Sequence, residues 1–302
     1  MTPPDAPHNR WSDLDRPPLN AAALRRGLLK PGGLWTSLDI VGTTGSTNSD
    51  LAARAASGLA EGTVLVAEEQ TAGRGRLDRS WTAPPRSGLF FSVYLTPGDV
   101  PPERWGWLPL LAGVATATGL AQSAGVDMAL KWPNDLLVTI PTGSGTRPGE
   151  TGTPPGAERK TGGILAERAG DGVVIGIGLN VSLRAAELPA PQAGSLALAG
   201  AVSTDRETLL RAVLRSLEEW YGRWREANGD AAESGLQAAY AAGCATLDRT
   251  VRAELPGDRS IVGEAVAIDG DGRLVLATGD GLQEPVSAGD IVHLRGADGG
   301  LT

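Results

Sequence analysis

The sequence predicts an α+β fold, a mixed β-sheet with flanking helices followed by a small β-barrel. Short β-rich runs alternate with helical patterns through the first 245 residues, and the clearest helical spacing comes late, from Thr204. From Arg249 onward the texture changes to short strands joined by tight turns. These observations divide the chain into a tail with a short helix (1–35), a main domain (36–245) and a terminal barrel (246–302).

Residues 1–20 are rich in Pro, Asp and Asn and read as a mobile tail, while AAALRRGLLK at 21–30 suits a short helix ending at Pro31-Gly32-Gly33. A helix is expected from Ser46-Thr47, with Thr47 and Asp50 at capping-box spacing and Gly58 as C-cap. Thr63 to Glu69 reads as a buried strand and Gly88 to Thr96 as another, with helical spacing over 105–123. Further strands are expected at Met128 to Trp132, Asp135 to Ile140, Gly163 to Glu167 and Val173 to Asn180. The Pro/Gly/Thr-rich stretch 141–159 reads as a flexible insertion between two strands of one hairpin. Thr204 and Glu207 are placed as a second capping box, opening a helix whose Leu210, Val213, Leu217, Trp220 and Trp224 face a core up to Gly229. A helix over about 231–242 follows. The barrel strands are VRAEL, SIVGEAVAI, RLVLA and IVHLR, with an Asp-Gly-Asp-Gly turn at 269–272.

Composition excludes several functions. The 302 residues are enough for a full core, and the formal charge of −8 opposes nucleic-acid binding in the absence of a dense basic run. Cys244 is the one cysteine, so internal disulfides and cysteine-cluster zinc sites are excluded. The two histidines, His8 and His293, stand near the chain ends without a surrounding motif, against histidine triads and His-rich metal sites. With no signal-type apolar segment and no apolar run approaching the ~18 residues that span a bilayer, a cytoplasmic protein without a membrane partner is expected.

Chemistry concentrates in three motifs. Only Lys30, Lys131 and Lys160 are lysines among 27 basic residues, and two of them lie inside motifs. Lysine offers a compact point charge where arginine offers a planar fork, so Lys131 and Lys160 read as contacts to an anionic ligand. In GRGRLDRSW (73–81), Gly73 and Gly75 let the backbone approach a ligand while Arg74, Arg76 and Arg79 supply charge. The string is neither a Walker A loop nor a dinucleotide fingerprint. In KWPNDLLV (131–138), Pro133 forces a sharp turn, and Asp135 beside Lys131 suits either Mg²⁺ or a turn-stabilising salt bridge. In KTGGILAE (160–167), Gly162 and Gly163 suit either bare backbone offered to a flat or narrow ligand or close interstrand packing, and the same holds for Gly176 and Gly178 in GIGLNV on a neighbouring strand.

Together, STN (46–48), EQTAGRGRLDRSW (69–81), KWPNDLLV, KTGGILAE and GIGLNV (176–181) resemble the biotin protein ligase family in the family's order, over about 36–295. The resemblance implies a class II synthetase-like ligase fold with an SH3-like C-terminal barrel. It implies biotin and MgATP as substrates, biotinyl-5′-adenylate as intermediate, and transfer to one lysine of a biotin carboxyl carrier protein. By motif position it implies biotin contacts from Ser46, Thr47, Asn48, Gln70, Gly73, Arg74, Gly75, Arg76, Lys160 and Gly163. ATP contacts are implied for Arg76, Arg79, Trp81, Lys131 and Asn180, and catalytic roles for Lys160, Arg74, Arg76, Lys131 and Asp135, with the metal ligands unassigned. Loop 73–81 would close over the adenylate, and Asp78, where many members carry glycine, weakens its positive field. The 35 residues ahead of the motifs are too few for the winged helix of regulatory members, so no nucleic-acid partner is expected. A homodimer is left open, with strand edges near 173–181 as the pairing surface. Lipoate ligases and octanoyl transferases are the nearest rivals, and a pocket-retaining binding module is the third reading.

Overall fold

A computed structural model describes residues 15–77, 79–141, 156, 158–255, 259–287 and 289–294. Asp78 and nearly all of the 141–159 insertion lie outside the described residues, as do His8 and the rest of 1–14. The core is a seven-stranded sheet built from β1 (Ser37–Thr44), β2 (Thr63–Gln70), β5 (Gly88–Leu95), β6 (Ala129–Lys131), β7 (Asp135–Thr139), β8 (Glu158–Ala169) and β9 (Gly172–Asn180). Its order is β1-β2-β5-β9-β8-β7-β6, with β1 and β2 parallel and every other pair antiparallel. The mixed sheet is as expected. Strands β3 (Gly73–Arg74) and β4 (Ser80–Trp81) form a separate two-stranded ribbon.

The period-two alternation of side chains assigns the two faces of this sheet. Leu65, Tyr94 and Val174 point to one face and pack with Leu51 and Ala55 of α2 (Thr47–Ala55). Val64, Val66, Val93, Leu95, Ile175 and Ile177 point to the other, where they join the large core under α3 (Leu108–Ala124) and α4 (Arg206–Glu226). These two helices pack so closely that a Cβ on Gly119 would lie 2.9 Å from the backbone of α4. A helix α1 (Ala21–Leu28) leads in, with Leu24 and Leu28 buried.

Several expectations need correction. Residues 15–20 are pinned: Arg206 donates to Pro17 O at 2.6 Å, the Leu19 N–H donates to Glu68 at 2.6 Å, and Arg16 donates to Ser182 O at 3.1 Å. The Glu68–Arg206 ion pair beneath them is buried, and breaking such a pair from one side costs about 3–5 kcal/mol. Neither capping box forms. Ser46 is the N-cap of α2, Thr47 is helical, and Asp50 accepts from Thr44 Oγ1 instead. Asp205 caps α4, accepting from the N–H groups of Glu207 and Thr208. The helix α2 also ends at Ala55, short of Gly58. The helix expected over 231–242 is α5 (Leu236–Gly243), because Asp230 accepts from the Ala232 and Glu233 N–H groups in a turn and Gly235 takes φ +76°. Trp224 is buried, whereas Trp220 is only partly so and stacks under Arg223. Strand β9 lies between β5 and β8, so residues 173–181 offer no free edge; the edges of this sheet are β1 and β6.

The terminal unit is a five-stranded antiparallel SH3-like sheet of β10 (Thr250–Leu255), β11 (Arg259–Ile268), β12 (Leu274–Ala277), β13 (Gln283–Val286) and β14 (Asp290–His293), ordered β13-β12-β11-β10-β14. Indole N–H groups hold it to the main domain: Trp107, just before α3, donates to Gly270 O at 2.8 Å, and Trp132, just after β6, to Gly272 O at 3.0 Å. Trp132 is therefore a buried core residue between the two units. Among the described residues no helix is long and apolar enough to cross a membrane.

Candidate active site

A cleft of about 320 Å³ opens on the α2 face, lined by Ser46, Thr47, Asn48 and Gln70, by loop 74–76 with Arg79 to Trp81, by residues 131–135, and by Lys160 and Gly163. Glu254 and Asp290 to Val292 of the SH3-like sheet close its far side. The floor is glycine because side chains from opposite walls already fill the space. A Cβ on Gly176 would meet Asn48 Oδ1 at 2.0 Å, and one on Gly178 would meet the Trp81 indole at 3.2 Å. Trp81 thus lies across β8 and β9 as a wall of the cleft, with Lys160 Nζ 5.9 Å from its ring centroid.

At one end the groups are neutral. The N-terminus of α2 brings in Thr47, whose backbone N–H donates to Gln70 Oε1 at 2.8 Å, fixing the Gln70 carboxamide. Asn48 Nδ2 donates to Leu165 O at 3.1 Å and to Glu167 at 3.0 Å, and Ser92 Oγ lies 2.7 Å from Thr47 Oγ1. All these side chains are buried or half-buried. Such a surface suits a small uncharged ring carrying both donors and acceptors.

The other end is cationic, and its charges come from separate stretches of chain. Arg74 is clasped by Glu167, with Nη2 to Oε1 2.9 Å, and Arg79 pairs with Asp290 of β14. Lys160 Nζ lies 2.6 Å from Asp135 Oδ1. Arg76 Nη1 donates to Asn134 Oδ1 and to Gly289 O, each at 3.4 Å. Burial pushes the Arg76 guanidinium below its ordinary value, against the opposing pull of Asp290 and Asp135. Burial also lowers Lys131, with Asp135 raising it and Lys160 lowering it further. Of the two cleft lysines, only Lys160 has a carboxylate within ion-pair distance among the described residues; Lys131 is a desolvated ammonium facing the cleft.

The structure therefore brings together Ser46, Thr47, Asn48, Gln70, Arg74, Gly75, Arg76, Arg79, Trp81, Lys131, Asp135, Lys160 and Gly163. Two sequence-based assignments fall outside the lining. Asn180 is buried and donates to Gly194 O at 3.0 Å, tying the following segment to the sheet. Gly73 belongs to the β3–β4 pairing, where a Cβ would strike Trp81 O at 2.4 Å. Asp135 faces Lys160 in a salt bridge, and among the described residues no group of three or more His, Cys, Asp or Glu side chains is placed to hold a metal. The sequence reading gave no role to Ser92, Asn134, Glu167 or Asp290. Glu167 ends the KTGGILAE motif and was visible there; Ser92 and Asp290 meet their partners only across the fold. His293 is buried on β14, and burial, Lys131 and Arg249 push it down to about 4. Cys244 is buried with its thiol pushed up by desolvation, and it does not line the cleft.

A glycine-floored cleft with a neutral end and a cationic end, roofed by an SH3-like sheet, accords with a ligase of the biotin/lipoate type. Residues 43–181 match the Biotin/lipoate A/B protein ligase family, and residues 246–294 match the Biotin protein ligase C terminal domain. The chain is 45% identical over 284 residues to the biotin–[acetyl-CoA-carboxylase] ligase of Mycobacterium tuberculosis, covering 93% of this chain and 97% of that one. It is 33% identical over 258 residues to the bifunctional ligase/repressor BirA of Bacillus subtilis, covering 83% of this chain and 71% of that one. Its fold matches the Aquifex aeolicus biotin protein ligase in complex with biotin and ATP, with a TM-score of 0.67 and 26% identity, over 86% of this chain and all of that one. The chain belongs to the biotin protein ligase family.

Proposed function

We propose that the neutral end of the cleft holds the ring of biotin, that the cationic end holds ATP, and that the chain joins them and passes the acyl group to a biotin carboxyl carrier. The observation that carries this reading is the meeting of both surfaces in one cleft, with Lys131 and Lys160 lining its cationic end. The biotin carboxylate attacks the α-phosphorus of ATP, forming biotinyl-5′-adenylate and releasing pyrophosphate. A carrier lysine then attacks the acyl carbon, forming an amide and releasing AMP.

The first step brings two anions together, so cations have to offset their repulsion and hold the atoms at attack distance. Lys160, Lys131, Arg74 and Arg76 fill that role, with Lys160 between the carboxylate and the α-phosphate, and Arg79 extends it toward the outer phosphates. The carboxylates that neutralise Arg79 and Lys160 in the structure are replaced by ligand oxygens. Loop 73–81 shields the mixed anhydride from water. Mg²⁺ entering with ATP would lie near Asp135 and Asp290, the carboxylates lining the cationic end, and would supply further positive charge against the phosphates.

The division at 245/246 into catalytic and SH3-like units accords with the two family matches, and the SH3-like unit contributes to the ATP end through Asp290. A function without a nucleic-acid partner accords with the net charge of −8. A homodimer would have to form without β9. Cys244, buried and away from the cleft, disfavours the cysteine chemistry of octanoyl transfer. The test is ATP–pyrophosphate exchange on the purified protein with biotin, lipoate and octanoate supplied separately. Exchange with biotin is expected; exchange with lipoate alone would move the substrate assignment, and none with any acid would leave a binding module.

A further inference from the structure

Glu167 joins the two ends of the cleft. Its Oε2 accepts from Asn48 Nδ2 and from Arg74 Nη1, each at 3.0 Å, while Oε1 lies 2.9 Å from Arg74 Nη2. The second partner of Asn48 Nδ2 is Leu165 O at 3.1 Å. A carboxylate and a carbonyl only accept, so the Asn48 amide has one orientation, with Oδ1 turned to Ser92 Oγ at 2.6 Å. Ser92 carries one hydroxyl proton, and Asn48 Oδ1 has none to offer, so that proton goes to Asn48.

The consequence falls on Thr47. Ser92 presents only lone pairs to Thr47 Oγ1 at 2.7 Å, and Gln70 Oε1, also an acceptor, lies 3.1 Å away. Thr47 gives its own proton to one of these and keeps its lone pairs for the cleft. Gln70, with Oε1 occupied by the Thr47 N–H, keeps Nε2 as a donor. The ring end is thus set to accept an N–H and to donate to a carbonyl.

We propose that Glu167 is a positioning residue that fixes this hydrogen-bond polarity through Asn48 and Ser92, and that ties loop 73–81 to the ring end through Arg74. The ligand class it selects is a cyclic urea with a free N–H. The proposal rests on the biotin reading of the cleft. Neither residue meets the ligand directly; each acts through Thr47 or Arg74.

Glu167→Gln introduces donors where Asn48 and Arg74 need an acceptor, and Ser92→Ala removes the proton that Asn48 Oδ1 requires. The experiment measures the KM for biotin and for ATP by pyrophosphate exchange, and repeats the biotin series with a biotin methylated on the ureido nitrogens. Both variants are expected to raise the biotin KM about ten-fold or more, to leave the ATP KM within about two-fold, and to narrow the preference for biotin over the methylated analogue. A purely structural loss would not narrow that preference. Unchanged biotin KM and preference in either Glu167→Gln or Ser92→Ala would overturn the proposal alone. Absence of biotin-dependent exchange in the unaltered chain would overturn it together with the biotin reading.

Discussion

The two ends of the cleft solve opposite problems. At the ring end, Thr47, Asn48, Gln70 and Ser92 are neutral and are matched to one another by the end of α2 and the sheet beneath it. At the anion end, the cations come from loop 73–81, β6 and β8, and carboxylates on β7, β8 and β14 neutralise three of them. A neutral recognition surface can be preassembled because satisfied hydrogen bonds hold it without a ligand. A cationic one repels itself, so it is stable only with internal counter-ions that a ligand then replaces.

Removing the central cation tests the contrast most severely. Lys160→Ala is expected to lower biotin-dependent pyrophosphate exchange by about 10²–10³-fold, the loss typical of a transition-state charge contact. Stability changes by less than about 1 kcal/mol, because the Lys160–Asp135 pair is partly exposed. Near-normal exchange would show that the anion end does not depend on its internal cations.

Acid should destabilise the fold through His293, which is buried on the strand that carries Asp290. His293, on the same strand as Asp290, faces Lys131 and the Arg249 that pairs with Glu158, and these groups with burial hold it at about 4. An unfolded histidine titrates near 6.5. Between those values the unfolded chain carries the proton and the folded chain does not, so stability falls as pH drops from about 6.5 through 4, by up to about 3 kcal/mol. Urea unfolding at several pH values checks this, and His293→Gln should flatten the dependence. An unchanged slope in that variant would place the acid sensitivity elsewhere.

At the ring end the sensitive feature is space. Gly176→Ala sets a methyl 2.0 Å from Asn48 Oδ1, and relieving that overlap costs about 1–3 kcal/mol. Biotin kcat/KM should fall by about five- to 150-fold with the ATP KM nearly unchanged. An equal rise in both KM values would erase the distinction between the ends. The smallest effect is expected at the loop-to-roof pair. Asp290→Asn releases Arg79, whose exposure limits the pair to about 1 kcal/mol, so the ATP KM should move by less than about five-fold in a salt-dependent way. An effect on the biotin KM alone would contradict the assignment of Arg79 to the ATP end.

Legibility in the sequence followed the range of the interactions. The long helices were readable because α4 repeats its apolar residues at helical spacing, and β2, β5 and β9 because they are continuous apolar runs. Strand β1 was missed: it has one buried side chain and exists as a strand through its pairing with β2. Strand β13 was hidden by Pro285, tolerable there because it forms the edge of its sheet. Helix starts shifted where a neighbour won the competition, as when Asp205 rather than Thr204 capped α4.

By itself the sequence determined the ligase motifs, the scarcity of lysine that marked Lys131 and Lys160, and the glycines of the floor, because each is a property of residue type at short spacing. Tertiary structure alone decided which carboxylate holds which cation and which way each hydroxyl points. Glu167 lies 93 positions from Arg74, and Asp290 lies 211 from Arg79. Ion pairs and hydrogen-bond polarity depend on distances of a few ångströms, which the fold sets and local sequence spacing does not.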